Sequence, residues 1–247
     1  KKFSECKEVC DPKFQYDSSN CTGDKVLTGN SCGGKYEKCI EPLQYLYSDR
    51  TLSAEIIPGK SVIGIAVDPE NRLAVAIDYI MTTGWGGYGI DIPTLENTPS
   101  SGAGIYVRGE RDSYLIRDGK ANTAKILAYG RSNGISYPAA EAAYNYQPGS
   151  CSSSSWCGRG NWYLPSNWQV FPYFDNRATI HLMLKAINKM PDDWWYTRND
   201  FYTVTSNEIN AKESGFIYIN TGGMAHGGKN LTEPDNLQTL VLPYITY

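Results

Sequence analysis

Apolar and polar positions change over in short runs along most of this chain, and the runs are too brief for long helices. "SVIGIAVDPENRLAVAID", starting at Ser61, sets two β-rich runs around Asp-Pro-Glu-Asn, which predicts a hairpin. "FYTVTS" from Phe201, "GFIYIN" from Gly215 and "TLVLPYITY" from Thr239 read as further strands between glycine-rich turns. The last is expected beside a strand near the start of its domain. Helical spacing shows twice. Ser136 as a cap and Pro138 in the first turn open an alanine-rich helix closed by Pro148 and Gly149. A second helix begins near Asp175, buries Ile180, Met183, Leu184 and Ile187 on one face, and stops at Pro191. "GWGGYGIDIPTLENTPSSGAG", from Gly84, is too rich in Gly and Pro for regular structure and predicts a long surface loop, followed by a short strand over Ile105 to Val107.

Composition agrees with a mostly β, α+β domain. The chain has 247 residues, 41% of them hydrophobic, enough to bury a core, and its 19 tyrosines and 24 glycines suit strands and loops. A net charge of −3 with no basic run leaves no electrostatic footprint for nucleic acid or anionic lipid. No apolar run approaches the ~20 residues of a membrane-spanning helix. The chain starts at Lys1 without methionine, as a chain that has lost a leader does, and a trimmed one looks the same.

Cysteine usage divides the molecule. Cys6, Cys10, Cys21, Cys32 and Cys39 fall among Gly, Ser, Asn, Asp and Lys, with little apolar material to form a core. Residues 1–42 are therefore expected to be a disulfide-held appendage before a main domain over 43–247, in a secreted or surface-exposed protein. Zinc is disfavoured because no C-x-x-C pair occurs and the histidines are only His181 and His226. An odd five leaves one thiol free, paired with another chain, or paired outside this sequence. Cys151 and Cys157 bracket "SSSSW" and are the expected disulfide of the main domain.

Catalytic motifs find no supporting context. "GNSCG", from Gly29, matches G-x-S-x-G but has no strand-turn-helix around it. His181 flanks an apolar helix face and His226 sits in a glycine-rich turn, neither with an evident orienting partner. A glycosidase reading needs two carboxylates facing each other across a cleft, and the acids here are dispersed. "EPDN", from Glu233, and "DGKAN", from Asp118, offer calcium-type oxygens but read first as polar turns, so no metal or other cofactor is assigned.

The aromatics supply the candidate ligand-binding residues. Trp162 and Leu164 alternate on what reads as a core strand. Trp85 and Tyr88 in the long loop, Trp156 in the serine tract, and Trp194, Trp195 and Tyr196 in "DDWWYTRND" lie among polar residues. There they either stack on sugars or anchor a protein interface, or else pin their loops to the core.

"RDGKANTAKI", "CGRGNWYLPSNWQV", "FYTVTSNE" and "TLVLPYITY" follow one another in an order and spacing that resemble the DUF1566 family, the Lcl C-terminal domain type of bacterial surface proteins, over about residues 60–247. W-Y-L-P-S is the specific element. Tyr202 stands where the pattern has tryptophan, and Leu242 where it has arginine. The resemblance implies a fold similar to C-type lectins and to the formylglycine-generating enzyme: two helices flanking a small twisted sheet with long loops. It also implies a non-enzymatic surface module for adhesion or recognition, with glycan, glycosaminoglycan or protein ligands and self-assembly. The enzyme branch relies on late cysteines, and this chain has none after Cys157; the lectin branch's calcium elements do not match "RND" and "EPDN". Three functions are open to such a chain: adhesion module, structural subunit of a surface filament or coat, and carbohydrate-active enzyme.

Overall fold

A computed structural model describes residues 26–28, 38–40, 43–82, 84–97, 105–106, 118–189, 202–218, 224–230 and 239–247. The chain divides into two units, Lys1–Gln44 and Tyr45–Tyr247. In the first, β1 (Val26–Thr28) and β2 (Lys38–Ile40) pair antiparallel with Leu27 opposite Cys39. Cys6, Cys10, Cys21 and Cys32, with the "GNSCG" run, lie outside the described residues.

The second unit is α+β. Its strands are β3 (Gln44–Tyr47), β4 (Leu52–Ser53), β5 (Val62–Asp68), β6 (Leu73–Ala76), β7 (Ile80–Thr82) and β8 (Ile105–Tyr106), then β9 (Tyr202–Glu208), β10 (Glu213–Tyr218), β11 (Met224–Gly228), β12 (Thr239–Val241) and β13 (Tyr244–Thr246). The helices between are α1 (Gly119–Asn133), α2 (Pro138–Asn145), α3 (Asn167–Asp175) and α4 (Arg177–Ala186). One sheet runs β13-β6-β5-β3-β4 and the other β7-β12-β9-β10-β11-β8. In the latter every pairing is antiparallel except β12 with β9. Pro243 carries the chain from one sheet to the other, and β13 returns beside β6 with Ile245 opposite Ala74.

The predicted hairpin is β5–β6. Asp68 holds its turn by accepting hydrogen bonds from the Asn71 backbone at 3.2 Å and side chain at 2.7 Å, and Arg72 closes it at φ 52°. Gly64 is required there, because a Cβ would lie 2.8 Å from the Val75 carbonyl oxygen across the ladder.

Among the described residues four helices stand where two were expected. α1, the longest at 15 residues, opens at "DGKAN", which reads as a turn. Asp118 caps it by accepting the Ala121 N–H at 2.9 Å, and Gly134 ends it at φ 67°. Its buried face includes Asn122, Thr123 and Gly130 beside Ile126 and Leu127, so the apolar period is masked by polar residues that face inward. The helix expected from Asp175 is α4. It follows α3 across a break at Asn176, whose side chain donates to the Pro172 carbonyl at 2.9 Å, and it ends before Asn188 turns left-handed at φ 55°. α2 is the helix expected from Ser136, one residue offset: Tyr137 is its cap, and Ser136 donates instead to the Glu141 carboxylate. Trp162 to Leu164 form no strand. Tyr163 makes a single bridge to Tyr244 through reciprocal 2.9 Å bonds, and all three residues of the run are buried.

Candidate functional site

W-Y-L-P-S-N is a polar seam inside the molecule. Ser166 caps α3 and forms a capping box with Gln169, whose side-chain oxygen accepts from the Ser166 N–H at 3.0 Å and the Gly119 N–H at 3.1 Å. One amide thereby serves the N-termini of both α3 and α1. A Cβ on Gly119 would lie 2.4 Å from that oxygen, so only glycine permits the approach. Thr123 reaches from α1 to accept the Leu164 N–H at 3.0 Å, Asn207 on β9 accepts the Asn167 N–H at 2.8 Å, and the Pro165 carbonyl accepts the Ser206 N–H at 2.7 Å. The motif ties two helices to the central strand.

A second buried device pins the loop of residues 84–97. Lys229 and Glu208 form an ion pair with both side chains fully buried. Lys229 also donates to the Ile90 carbonyl at 2.6 Å and lies 4.9 Å from the centre of the Trp85 ring. The other Glu208 oxygen accepts the Ile92 N–H at 3.1 Å, so both carboxylate oxygens hold the structure together. Burial pushes the Glu208 carboxyl above its ordinary range and the Lys229 ammonium below its own, against the pull of each on the other. The Trp85 indole donates to the Thr205 carbonyl at 2.8 Å and packs edge-on against Tyr137, centroids 5.5 Å apart. Burial first, then the Glu208 charge, pushes the Tyr137 hydroxyl up to about 12.

These contacts sort the candidate residues. Trp85 is corrected: it is 2% exposed, and its ring is occupied by Lys229 and Tyr137, so it anchors the loop from within and offers no face to a ligand. Tyr88, three residues on, is 50% exposed at the tip between Gly87 and Gly89, both at positive φ. Trp156 is half-buried. Its indole donates to the Ser48 carbonyl at 2.8 Å and Arg50 lies 4.8 Å over its ring, which clips the serine tract to the β3–β4 turn. Cys151 and Cys157 form a disulfide with Cα atoms 5.7 Å apart, and Trp162 beside it is 1% exposed. Trp194, Trp195 and Tyr196, and "EPDN", lie outside the described residues. His226 pairs with Glu213 at 3.1 Å across β10 and β11. Among the described residues no three His, Cys, Asp or Glu gather as a metal cluster, and no helix is long and apolar enough to cross a membrane.

A groove of about 540 Å³ lies between the end of α1 and α2. Ile135 and Tyr144 give it an open apolar and aromatic lining over the buried Leu127 and Tyr137, and Arg131 and Glu141 its polar walls. Glu141 is committed, accepting from Ser136 and from the Tyr137 N–H at 2.9 Å. Arg131 uses only Nε, donating to the Leu127 carbonyl at 3.3 Å, with its guanidinium carbon 5.9 Å from the Tyr144 ring centre. Its outer nitrogens have no partner among the described residues. The groove is not visible in the sequence because it depends on α1. Lys229 and Glu208 left one faint signal, lone charges in or beside runs otherwise read as strand and turn.

No protein-family model matches the chain, and no curated protein matches it. Among solved structures the chain is similar to a fimbrial protein from Bacteroides ovatus, at a TM-score of 0.49 and 15% identity, covering 83% of this chain and 48% of that one. It spans about half the length of that protein.

Proposed function

We propose that the chain is a non-catalytic, extracellular structural subunit of a bacterial surface filament or coat. The observation that carries this is where the molecule's strongest interactions point. A buried Lys229–Glu208 pair, a disulfide and a seam of buried amides all brace loops against the frame, and the buried carboxylate has neither oxygen free to act as acid, base or nucleophile. A disulfide also suits an oxidising, extracellular setting. DUF1566 membership and a C-type-lectin-like fold are proposed with it, on the W-Y-L-P-S element and on the return of β13 beside β6. The test is native size by sedimentation and electron microscopy, with and without reductant. Extended or higher-order species are expected; a strictly monomeric chain at every concentration overturns the proposal.

A second reading, a recognition module for glycan or protein ligands, is favoured by the groove, whose volume falls in the range of ligand pockets and whose rim carries Tyr144 and unpaired Arg131 donors. Saturable, groove-dependent binding on a glycan array supports it, and absence of binding to glycans and to surface-protein fractions removes it.

A further inference from the structure

Among the described residues, large apolar side chains stand exposed at few places: Ile56, Met81, Tyr88, Tyr144 and Leu182. Ile56 differs from the rest in how it is held. The Tyr47 hydroxyl donates to the Glu55 carbonyl at 3.2 Å and accepts the Ile57 N–H at 2.8 Å, while Ser53 and Glu55 exchange bonds of 2.7 and 3.1 Å. The peptide units on both sides of Ile56 are thus fixed to the sheet, and its side chain stands out from a braced turn, 46% exposed. Ordering such a turn costs little on association, because it is already ordered.

Charge selects its counterpart. Glu55 is exposed, and its carboxylate has no partner among the described residues; Lys60 is engaged by Asp49 and Thr51 at 2.7 Å each. The turn therefore presents an aliphatic side chain beside an uncompensated negative charge. The α1–α2 groove presents the complement, an apolar lining beside Arg131, whose charge the committed Glu141 does not engage. The groove walls are largely helical, with backbone groups already bonded along α1 and α2, so an extended peptide finds few main-chain partners there while a braced side-chain knob needs none.

We propose that the groove receives the Glu55–Ile56 turn of a second copy of this chain, with Ile56 against Ile135 and Tyr144 and Glu55 against Arg131. Knob and socket are different patches of one molecule, so the contact is heterologous, and each copy keeps a free knob at one end and a free socket at the other. Repetition builds an open chain unless the rotation closes a ring. The inference rests on the assembly reading and names its interface.

The test uses the full chain and two surface variants, Ile56→Asp for the knob and Arg131→Glu for the socket, each checked for an unchanged melting temperature and followed by sedimentation velocity. Wild type is expected to grow with concentration, and each variant alone to self-associate about tenfold or more weakly. Mixed in equal amounts, the two variants should form dimers and nothing larger, since each supplies the surface that the other has lost. Glu55→Arg combined with Arg131→Glu should restore growth. If wild type assembles and the variants assemble equally well, or their mixture stays monomeric, this interface is wrong and the assembly reading stands. A wild-type chain that never associates overturns both.

Discussion

The loop of residues 84–97 and the segment of residues 151–169 look alike as sequence, since both interleave aromatics with Gly and Asn, yet they are held by different physics. The first hangs on one buried ion pair and an indole, contacts that reach across more than a hundred residues to β9 and to Lys229 just after β11. The second is held by a short covalent loop and by neutral amide and hydroxyl bonds, some of them local. Charge in a dry interior is stabilising only while both partners are present. Neutral bonds and a disulfide carry no such condition. Similar composition therefore conceals two segments that should fail under different conditions.

The largest expected effects separate the two by pH. Lys229→Met leaves Glu208 buried and unpaired, at a cost of about 3 to 5 kcal/mol near neutrality. Trp162→Ala costs about the same, 3 to 5 kcal/mol, by emptying a buried site against Tyr146, whose ring centroid lies 4.8 Å away. Only the first should be relieved by acid. The Glu208 pKa is already raised in the fold by burial, and losing Lys229 raises it further, so the folded state takes up a proton more readily than the unfolded one. The penalty of Lys229→Met is fully expressed only above the folded pKa and shrinks as pH falls toward 4.5, the ordinary carboxylate value. Thermal melts of both variants across that range check this. Parallel pH curves would mean that the ion pair is not what holds the loop.

Next in size is the disulfide. Replacing Cys151 and Cys157 with Ser opens a loop of sequence separation 6, worth about 2 kcal/mol in chain entropy. The loss should look the same at acid and neutral pH, which sharpens the contrast with Lys229. Hydrogen exchange should then rise over the serine tract, where Trp156 and Arg50 still hold one side, and leave residues 84–97 unchanged. Exchange that rises in both segments would show them to be one cooperative unit.

A smaller step is Ser166→Ala, about 1 kcal/mol, because the α3 cap loses its acceptor while Gln169 keeps its bonds to Ser166 and Gly119. Chemical denaturation measures it. A loss several times larger would mean that the hydroxyl also governs the α1 end of the seam.

How far the fold could be read ahead of the structure follows from the same physics. The β5–β6 hairpin was legible because two strand-length apolar runs flank a turn whose residues bond locally. W-Y-L-P-S was legible as interior, but its partners were not: Gln169 serving two helix ends is a fact of three dimensions. α1 escaped because its inward face carries Asn122 and Thr123, satisfied by Ser206 and Leu164 far along the chain. Trp85 was misplaced for a related reason. Glycines on either side suggest a mobile surface, whereas Gly86 and Gly87 are there because Tyr137 lies too close for any Cβ, within 2.8 Å and 2.4 Å of the positions where one would stand. Without α1 and Trp85 neither the groove nor the clasp could be assembled from sequence.

Tyr88 gives the smallest expected effect and the most direct check on that correction. It lies in the same loop as Trp85, yet half of it faces solvent, and Gly89 rather than Tyr88 makes the nearby backbone bond, donating to the Ala211 carbonyl at 2.8 Å. Tyr88→Ala should therefore change stability by no more than about 0.5 kcal/mol, the usual range for a surface position. Trp85→Ala should cost as much as the Trp162 change, since it empties a buried site and leaves the Thr205 carbonyl without its donor. If Tyr88→Ala costs more than about 1 kcal/mol, the loop is clamped at its tip as well as beneath, and the hold on residues 84–97 is not confined to the buried charges. If stability is unchanged but self-association or ligand capture falls, the rigid base and the exposed ring divide the work: Trp85, Lys229 and Glu208 fix the loop, and Tyr88 meets the partner.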